Sequence, residues 1–390
     1  MKIKSVRTIS VLLASLVTLG IAGQAMMASA ATLPLSLKVV GNNLVSEKGT
    51  VVRLYGVNRA GSEYACAQGW GIFEGETSLT SAQAIKSWHA NAVRLPLNED
   101  CWLGINGVKP EFSGVNYQNA VKAYVKTLHD AGLYVILDLH WTAPGSVKAL
   151  SQQPMADAAH SLDFWKSVAT TFKADQGVVF ELFNEPVLEY WVQDAVTKQW
   201  KKLNYFKDSA QNPWDCWLNG CTFAKYYLSN DAKTGNLEWN SAGMQAMVDA
   251  VRSTGATNVI MVNGLDWAND LSGWLSHKPV DPLNSLAAGW HSYPGTVCNN
   301  AACWDSQVAP VAAQVPVIMS EFGDSVCSAA NYLPKLLPWA NSKKISYLGW
   351  TWNVWSTSCE NVFIKDYAGT PSNNMGVYVK SMFESQNPSN

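Results

Sequence analysis

Two stretches of the sequence end an apolar run on a carboxylate. "VVFELFNEPV", Val178 to Val187, is mostly apolar until Asn184, Glu185 and Pro186. "VPVIMSEFGD", Val315 to Asp324, is apolar to Met319 and then reads Ser320, Glu321, Phe322, Gly323. Proline cannot donate to a strand ladder, so Pro186 ends the first run just after Glu185. Val179, Glu181, Phe183 and Glu185 share one strand parity, which predicts that Glu185 projects inward at the end of its strand. Asn184 has the opposite parity and reaches the same space only where the strand twists or bulges. Two carboxylates facing each other over a cleft suit the cleavage of a glycosidic bond. One gives a proton to the leaving oxygen, and the other attacks or activates water. Either Glu alone is as easily an ion-pair partner or a helix cap. The recurrence of one design at two strand ends favours the chemical reading.

The elements that must position these groups alternate. Strand-like runs begin at Arg53 ("RLYGVN"), Asn91 ("NAVRLP"), Leu133 ("LYVILDLHW"), Val178 ("VVFELFNE"), Asn258 ("NVIMVNG"), Ala287 ("AAGWHSY"), Val315 ("VPVIMSEFG") and Ile345 ("ISYLGWTW"). Helix-period stretches lie between them, among them Val115–Asp130, Asp157–Ala174 and Ser241–Thr254. Eight such βα units predict an α/β fold of the closed (β/α)8 TIM-barrel kind. Polar or aromatic residues stand at the carboxyl end of nearly every strand: Asn58, Arg94, His140, Glu185, His291, Glu321 and Trp352. That spread suits one barrel mouth better than the single switch point of an open doubly wound sheet. Ahead of the barrel, Leu35 to Leu54 alternates and turns at Gly41-Asn42-Asn43, which predicts a small β-hairpin.

The residues resemble those of glycoside hydrolase family 5, the cellulase-type family of clan A. Arg94 sits in "NAVRLP", His140 ends "VILDLH", and Asn184-Glu185-Pro186 closes the fourth strand. His291 and Tyr293 lie in "HSYPG", Glu321 in "SEFG" and Trp352 in "GWTWN". The resemblance runs over about residues 50 to 360. It implies a retaining enzyme with Glu185 as acid/base and Glu321 as nucleophile. It further implies that Arg94 and Tyr293 hydrogen-bond Glu321, and that Asn184 binds a sugar 2-hydroxyl. His140 and His291 would bind sugar or orient Glu185, and Trp352 would floor the reacting sugar. Asp138 shares parity with His140 one layer deeper, where it would meet Arg94.

The first 30 residues read as a secretory signal: Lys2, Lys4 and Arg7, an apolar run from Ile9 to Ile21, and the small-residue site Ala28-Ser29-Ala30. Residues 31–390 are then read as one exported catalytic domain, secreted and monomeric. The whole sequence holds 28 basic and 30 acidic residues. Loss of the three leader bases leaves the mature chain at about −5. With no basic stripe, a nucleic-acid partner is not expected. No later stretch is apolar enough to span a membrane, so none is expected once the signal is removed. Eight cysteines in an exported chain predict disulfides. Chain neighbours give the simplest pairing: Cys66–Cys101, Cys216–Cys221, Cys298–Cys303 and Cys327–Cys359. No C-x-x-C and no H-E-x-x-H occurs, so no metal and no cofactor is expected. No G-x-S-x-G occurs either, which disfavours a serine hydrolase.

The 18 tryptophans exceed what a core of this size needs. Trp70, Trp102, Trp141, Trp214, Trp217, Trp267, Trp304 and Trp355 fall in predicted mouth loops, where aromatic rings would stack on sugar faces. The segment 187–240 is too long for a connector and reads as a binding insertion. The substrate expected is a β-linked polysaccharide or oligosaccharide, with an endo-β-1,4-glucanase first. A β-mannanase or a β-1,3/1,6-glucanase is the alternative, and a non-catalytic sugar-binding barrel the reading from another class.

Overall fold

The computed structural model describes residues 34–193, 197–208, 210–227, 234–324, 331–355, 362–372 and 374–387. The leader segment 1–30, its cleavage site, Cys327 and Cys359 lie outside the described residues. At the start, β1 (Lys38–Val40) and β2 (Asn43–Val45) form the hairpin, and β3 (Val51–Val52) adds a third antiparallel strand. All eight strand-like runs of the sequence then enter one closed barrel. The first half is β4 (Tyr55–Asn58), β5 (Ala92–Asn98), β6 (Tyr134–Trp141) and β7 (Val178–Glu181). Between the halves stand two hairpins: β8 (Glu189–Gln193) with β9 (Trp200–Asn204), and β10 (Thr222–Tyr227) with β11 (Thr234–Asn240). The second half is β12 (Ile260–Asn263), β13 (Leu286–Ser292), β14 (Val317–Phe322) and β15 (Ser346–Gly349). The barrel strands pair in parallel, and β15 closes on β4. The helix predicted over Val115–Asp130 spans those residues, while the other two are shorter, Ser161–Phe172 and Met244–Ser253.

Strands buried on both faces sort their side chains by parity. Leu54, Ala92, Ile136, Val179, Met261, Ala287, Ile318 and Leu348 meet inside the lower barrel as one apolar cluster. Their neighbours Tyr55, Val93, Leu137, Phe180, Val262, Ala288, Val317 and Tyr347 face out into the larger layer beneath the helices. One step nearer the carboxyl ends the inward positions turn polar: Asn58, Arg94, Asp138, Glu181 and Asn263, all buried. Gly289 leaves room for this layer. A Cβ there would sit 1.5 Å from Asn263 Oδ1, so only glycine lets that amide cross the barrel.

Two register breaks re-aim side chains at the mouth. Trp290 pairs with Met319 and His291 with Glu321, so Ser320 is an extra residue in β14. Regular alternation from Ile318 would turn Glu321 outward with Val317 and Met319. The bulge instead lets both Ser320 and Glu321 face inward and returns Phe322 to the outer layer. A second break opposite Leu97 and Asn98 falls at His140. The expected parity of the fourth barrel strand fails at one residue. β7 ends at Glu181, and Phe183 packs into the outer apolar layer rather than inward. Past the last ladder pair nothing enforces alternation, and Asn184 N–H donates instead to Leu139 O at 3.0 Å.

The insertion is fastened to the barrel rather than hung from it. Its helix Pro213–Asn219 is closed by Cys216–Cys221, and Trp217 is buried with Nε1 donating to Asn263 O at 3.0 Å. Cys66–Cys101 joins the loops after β4 and β5, and Cys298–Cys303 closes a short loop after β13. Among the described residues, no helix is long and apolar enough to cross a membrane.

Candidate active site

Arg94 organises the polar layer. Its Nε donates to Glu181 Oε2 at 2.5 Å, and its Nη1 reaches Glu321 Oε1 at 2.7 Å and Asn58 Oδ1 at 2.9 Å. Its Nη2 faces Glu181 Oε1 at 2.8 Å, Asn184 Oδ1 at 2.7 Å and Asp138 Oδ2 at 3.0 Å. Burial disfavours this cation, but Asp138, Glu181 and Glu321 more than offset it and raise Arg94 well above its ordinary value. Glu181 is met entirely by donors, since Asn263 Nδ2 at 2.6 Å and Ser320 Oγ at 3.1 Å join the guanidinium. Burial pushes its carboxyl up, while the donors favour the carboxylate form. Asp138 is lifted by burial to about 8 and lies 2.6 Å from His140 Nδ1.

Above this layer stand the two carboxylates. Glu321 accepts from Arg94 and, through Oε2, from Tyr293 OH at 2.7 Å. This acceptor-only pattern fits an ionised carboxylate. Glu185 takes its side-chain hydrogen bond from the Gln152 amide rather than from a guanidinium. Its Oε1 lies 2.8 Å from His291 Nδ1, and burial pushes its carboxyl up to about 7. The tautomer follows from the next bond. Ser320 Oγ gives its hydrogen to Glu181, so it accepts from His291 Nε2 at 3.1 Å. That leaves Nδ1 with a lone pair toward Glu185, where it accepts a hydrogen bond from the neutral carboxylic acid. Burial holds His291 down to about 4, in agreement with a neutral ring. One oxygen of each carboxylate and a His291 ring nitrogen all lie within 4.8 Å of one another. The pair is therefore close, one member held as an acid and the other as a base.

Among the described residues, this same trio could offer ligand atoms to a cation. Glu321 already accepts from Arg94 and Tyr293, and the His291 lone pair at Nδ1 faces Glu185. A metal at His291 would have to displace that contact.

Arg94, His140, Asn184, Glu185, His291, Tyr293 and Glu321 all come together here. Asn184 donates from Nδ2 to Gln152 Oε1 at 2.5 Å, with His140 Nε2 3.4 Å away. Trp352 does not join them. After Gly349 the chain crosses the end of β4, where Trp352 N–H donates to Asn58 O at 2.9 Å. Its ring is buried against Trp88 at 4.8 Å and cannot touch a ligand. Trp350, two residues earlier, is the partly exposed ring, stacked on His140 at 5.6 Å. Glu181, Asn263, Ser320, Gln152 and Trp350 were not singled out from sequence. Glu181 and Asn263 were legible in principle, since both take an inward position at a strand end.

The mouth tryptophans divide. Trp102, Trp217 and Trp304 are core residues, Trp141 is nearly buried, and Trp214 packs on Trp217 and His277. Trp70, Trp267 and Trp355 are exposed by 50%, 41% and 42%. Tyr64 lies 6.0 Å from Trp70, 6.1 Å from Trp141 and 6.4 Å from Trp355, and Trp355 lies 6.2 Å from Trp350. These rings form one aromatic patch from the loop after β4 to the polar layer.

The family model described as cellulase, glycosyl hydrolase family 5, matches residues 45–356. The chain belongs to glycoside hydrolase family 5. Family 5 comprises retaining glycoside hydrolases, so the chain is a glycoside hydrolase. A β-glucanase of Saccharophagus degradans, solved with cellotetraose, has a TM-score of 0.62 at 20% identity over 91% of this chain and 94% of its own. A hyperthermophilic endocellulase of the archaeon Pyrococcus horikoshii has a TM-score of 0.62 at 18% identity over 90% of this chain and 98% of its own. At such identities the likeness is one of fold. A manganese-dependent endoglucanase of Phanerodontia chrysosporium is 24% identical over 252 residues, 61% of this chain and 52% of that protein. A mannan endo-1,4-β-mannosidase of Streptomyces lividans is 26% identical over 125 residues, 31% of this chain and 32% of that protein. The chain thus spans about half the length of the first curated relative and a third of the second.

Proposed function

We propose that this family 5 enzyme is a secreted endo-acting β-glycosidase that cleaves β-1,4-glucan with retention, using Glu185 as acid/base and Glu321 as nucleophile. The observation that carries the reading is the close carboxylate pair, with oxygens within 4.8 Å and opposite hydrogen-bonding environments. Retaining enzymes hold their carboxyl groups roughly 5 to 5.5 Å apart, whereas inversion needs roughly 6.5 to 9.5 Å to admit water. In the first step Glu321 attacks the anomeric carbon, the bond to the leaving oxygen breaks, and that oxygen takes the Glu185 proton. In the second step water attacks the same carbon, gives its proton to Glu185, and releases Glu321. Asn184 is the candidate donor to the sugar 2-hydroxyl, His140 lines the same wall, and Trp350 replaces Trp352 as the stacking ring. The aromatic patch around Tyr64 supports a substrate of several sugars. A glucan is favoured by the relatives named β-glucanase and endocellulase, and a β-1,4-mannan is second because of the mannosidase match. Three disulfides support export to an oxidising compartment.

The test is hydrolysis of defined β-glycan oligomers followed by NMR before mutarotation. The expected first product is the β-anomer, with cellulose-type oligomers cleaved fastest. An α-anomer as the first product rejects the assignment of Glu321 as nucleophile. With Glu185→Ala, azide is expected to trap a β-glycosyl azide, and with Glu321→Ala it is not.

A further inference from the structure

Gln152, on the loop between β6 and the helix Ser161–Phe172, fixes two groups of the site at once. Its Nε2 donates to the backbone Glu185 O at 2.9 Å, and the same side chain bonds the Glu185 carboxyl. A backbone carbonyl only accepts, so Nε2 must face Glu185 and Oε1 is left for another partner. That partner is Asn184, whose Nδ2 donates to Oε1 at 2.5 Å. Arg94, which only donates, holds Asn184 Oδ1 at 2.7 Å. The Asn184 amide is thus oriented from both ends. The bond from Gln152 also favours the charged form of Glu185, against the burial that raises its carboxyl.

The loop that presents Gln152 is bracketed by acids. Asp100 accepts from Ala149 N–H at 2.7 Å and from Asn106 Nδ2 at 2.9 Å, and that amide also reaches Gly145 O and Val147 O, each at 3.1 Å. His160 Nε2 lies 2.7 Å from Gly145 O. Nearer the helix, Val187 N–H donates to Pro154 O at 2.9 Å. The last anchor is Asp157, whose Oδ1 accepts from Ala159 N–H and His160 N–H, both at 2.9 Å, as a carboxylate does. Its Oδ2 meets the Ser161 hydroxyl at 3.2 Å, and Glu99 Oε2 meets the same hydroxyl at 2.5 Å. Glu99, Asp157 and Ser161 are fully buried. One hydroxyl has one hydrogen and cannot donate to both carboxyl groups. A second hydrogen is therefore needed, and Glu99 supplies it, since burial and then the charge of Asp157 raise it well above the usual carboxylate range. The groups around the pair do not replace that proton. Asp100, on the same short helix Glu99–Leu103, is a third acid, and His160 is turned to Gly145. Cys66 is held in its disulfide, Tyr117 donates to Ser62 O at 2.7 Å, and β6 ends at Trp141.

We infer that Gln152 is a positioning residue for Asn184 and Glu185, and that a proton held between Glu99 and Asp157 locks the loop that presents it. This rests on the glycosidase reading above. The lock ties the 2-hydroxyl donor and the strength of the acid to a carboxyl pair outside the cleft. Loss of the Glu99 proton to an alkaline solvent leaves two buried anions facing each other across Ser161, and the loop opens.

Gln152→Met fills the same space without its hydrogen bonds. It is expected to lower kcat on the best β-linked oligomer about tenfold or more with little change in KM. It should also move the alkaline limb of kcat/KM up by about half a pH unit or more, because Glu185 loses a bond to its charged form. Gln152→Glu keeps an acceptor for Asn184 but sets a second carboxyl beside Glu185, and should move the limb farther up. Hydrogen-exchange protection of residues 145–157 from pH 7 to pH 10, referred to the helix Val115–Asp130, reads the lock without any substrate. Protection should fall with rising pH in the wild type. Glu99→Gln keeps a donor to Asp157 and cannot titrate, so it should hold protection and leave activity at neutral pH unchanged. An unshifted limb in Gln152→Met, or protection that falls alike in the wild type and Glu99→Gln, would overturn the inference. A wild type that cleaves no β-glycan would instead overturn the glycosidase reading, with the exchange comparison still deciding the lock.

Discussion

At the scale of single residues, protonation states carry the chemistry. Glu185 must hold a proton until the leaving oxygen takes it, and burial together with the neutral His291 lets it do so up to about pH 7. Above that pH the acid form is lost, so kcat/KM on substrates with poor leaving groups should fall about tenfold per pH unit. A pH–rate profile that stays flat to pH 9 would reject Glu185 as the acid. Arg94 shows the opposite case, one cation shared by three buried carboxyl groups. Removing it leaves those groups without their charge partner. Arg94→Ala is expected to cost about 3–5 kcal/mol in denaturant unfolding. Arg94→Lys should not restore activity, because an ammonium cannot serve Glu181, Glu321 and Asn184 with one planar fork.

At the scale of elements, the bulge in β14 decides where the nucleophile points. With Ser320 as the extra residue, the bulge turns Glu321 from the outer face to the inner one. Deleting Ser320 should restore the regular ladder with Glu321 following Met319 at an inward position, and should lower turnover through loss of the Ser320 bonds to Glu181 and His291. Ser320→Ala keeps the bulge and removes the bond that sets the His291 tautomer together with the one to Glu181. It should lower kcat and spare KM, and steady-state kinetics of the two variants make the comparison. The bulge also explains a limit of the sequence reading. A strand with an inserted residue has the same local composition as a regular one, and the insertion is visible only against its neighbour β13.

At the scale of the whole molecule, buried acids couple stability to pH. Burial lifts Glu63 and Asp138 to about 8 and Glu185 to about 7. Near neutrality the folded chain therefore holds protons that the unfolded chain has released, so stability falls as pH rises. The histidines act in the other direction at lower pH. His140 and His291 are held by burial to about 4, so the unfolded chain binds their protons first as pH drops below about 6.5. Above that value the acids act, joined in the same direction by His129, which Asp175 raises against burial, and Tm should fall between pH 6.5 and pH 8.5 in calorimetry. A rising Tm over that window would contradict the burial of these groups. A chelator is expected to leave activity unchanged, since an acid and a nucleophile drawn from Glu185 and Glu321 supply both steps of the reaction. Loss of activity in EDTA that manganese restores would show instead that a cation is needed.

The sequence by itself determined the eight strands, the closed barrel and six of the seven polar or aromatic positions placed at strand ends around the mouth, Trp352 being the exception. Each of these rests on local rules: alternation of apolar residues, a proline that ends a strand, and motif spacing along one chain. Only the tertiary structure decided which tryptophan faces the ligand, because Trp350 and Trp352 share composition and parity and differ in what the chain meets after Gly349. It also decided the partners of Arg94, since Asp138, Glu181 with Asn184, and Glu321 reach it from three strand ends far apart in sequence.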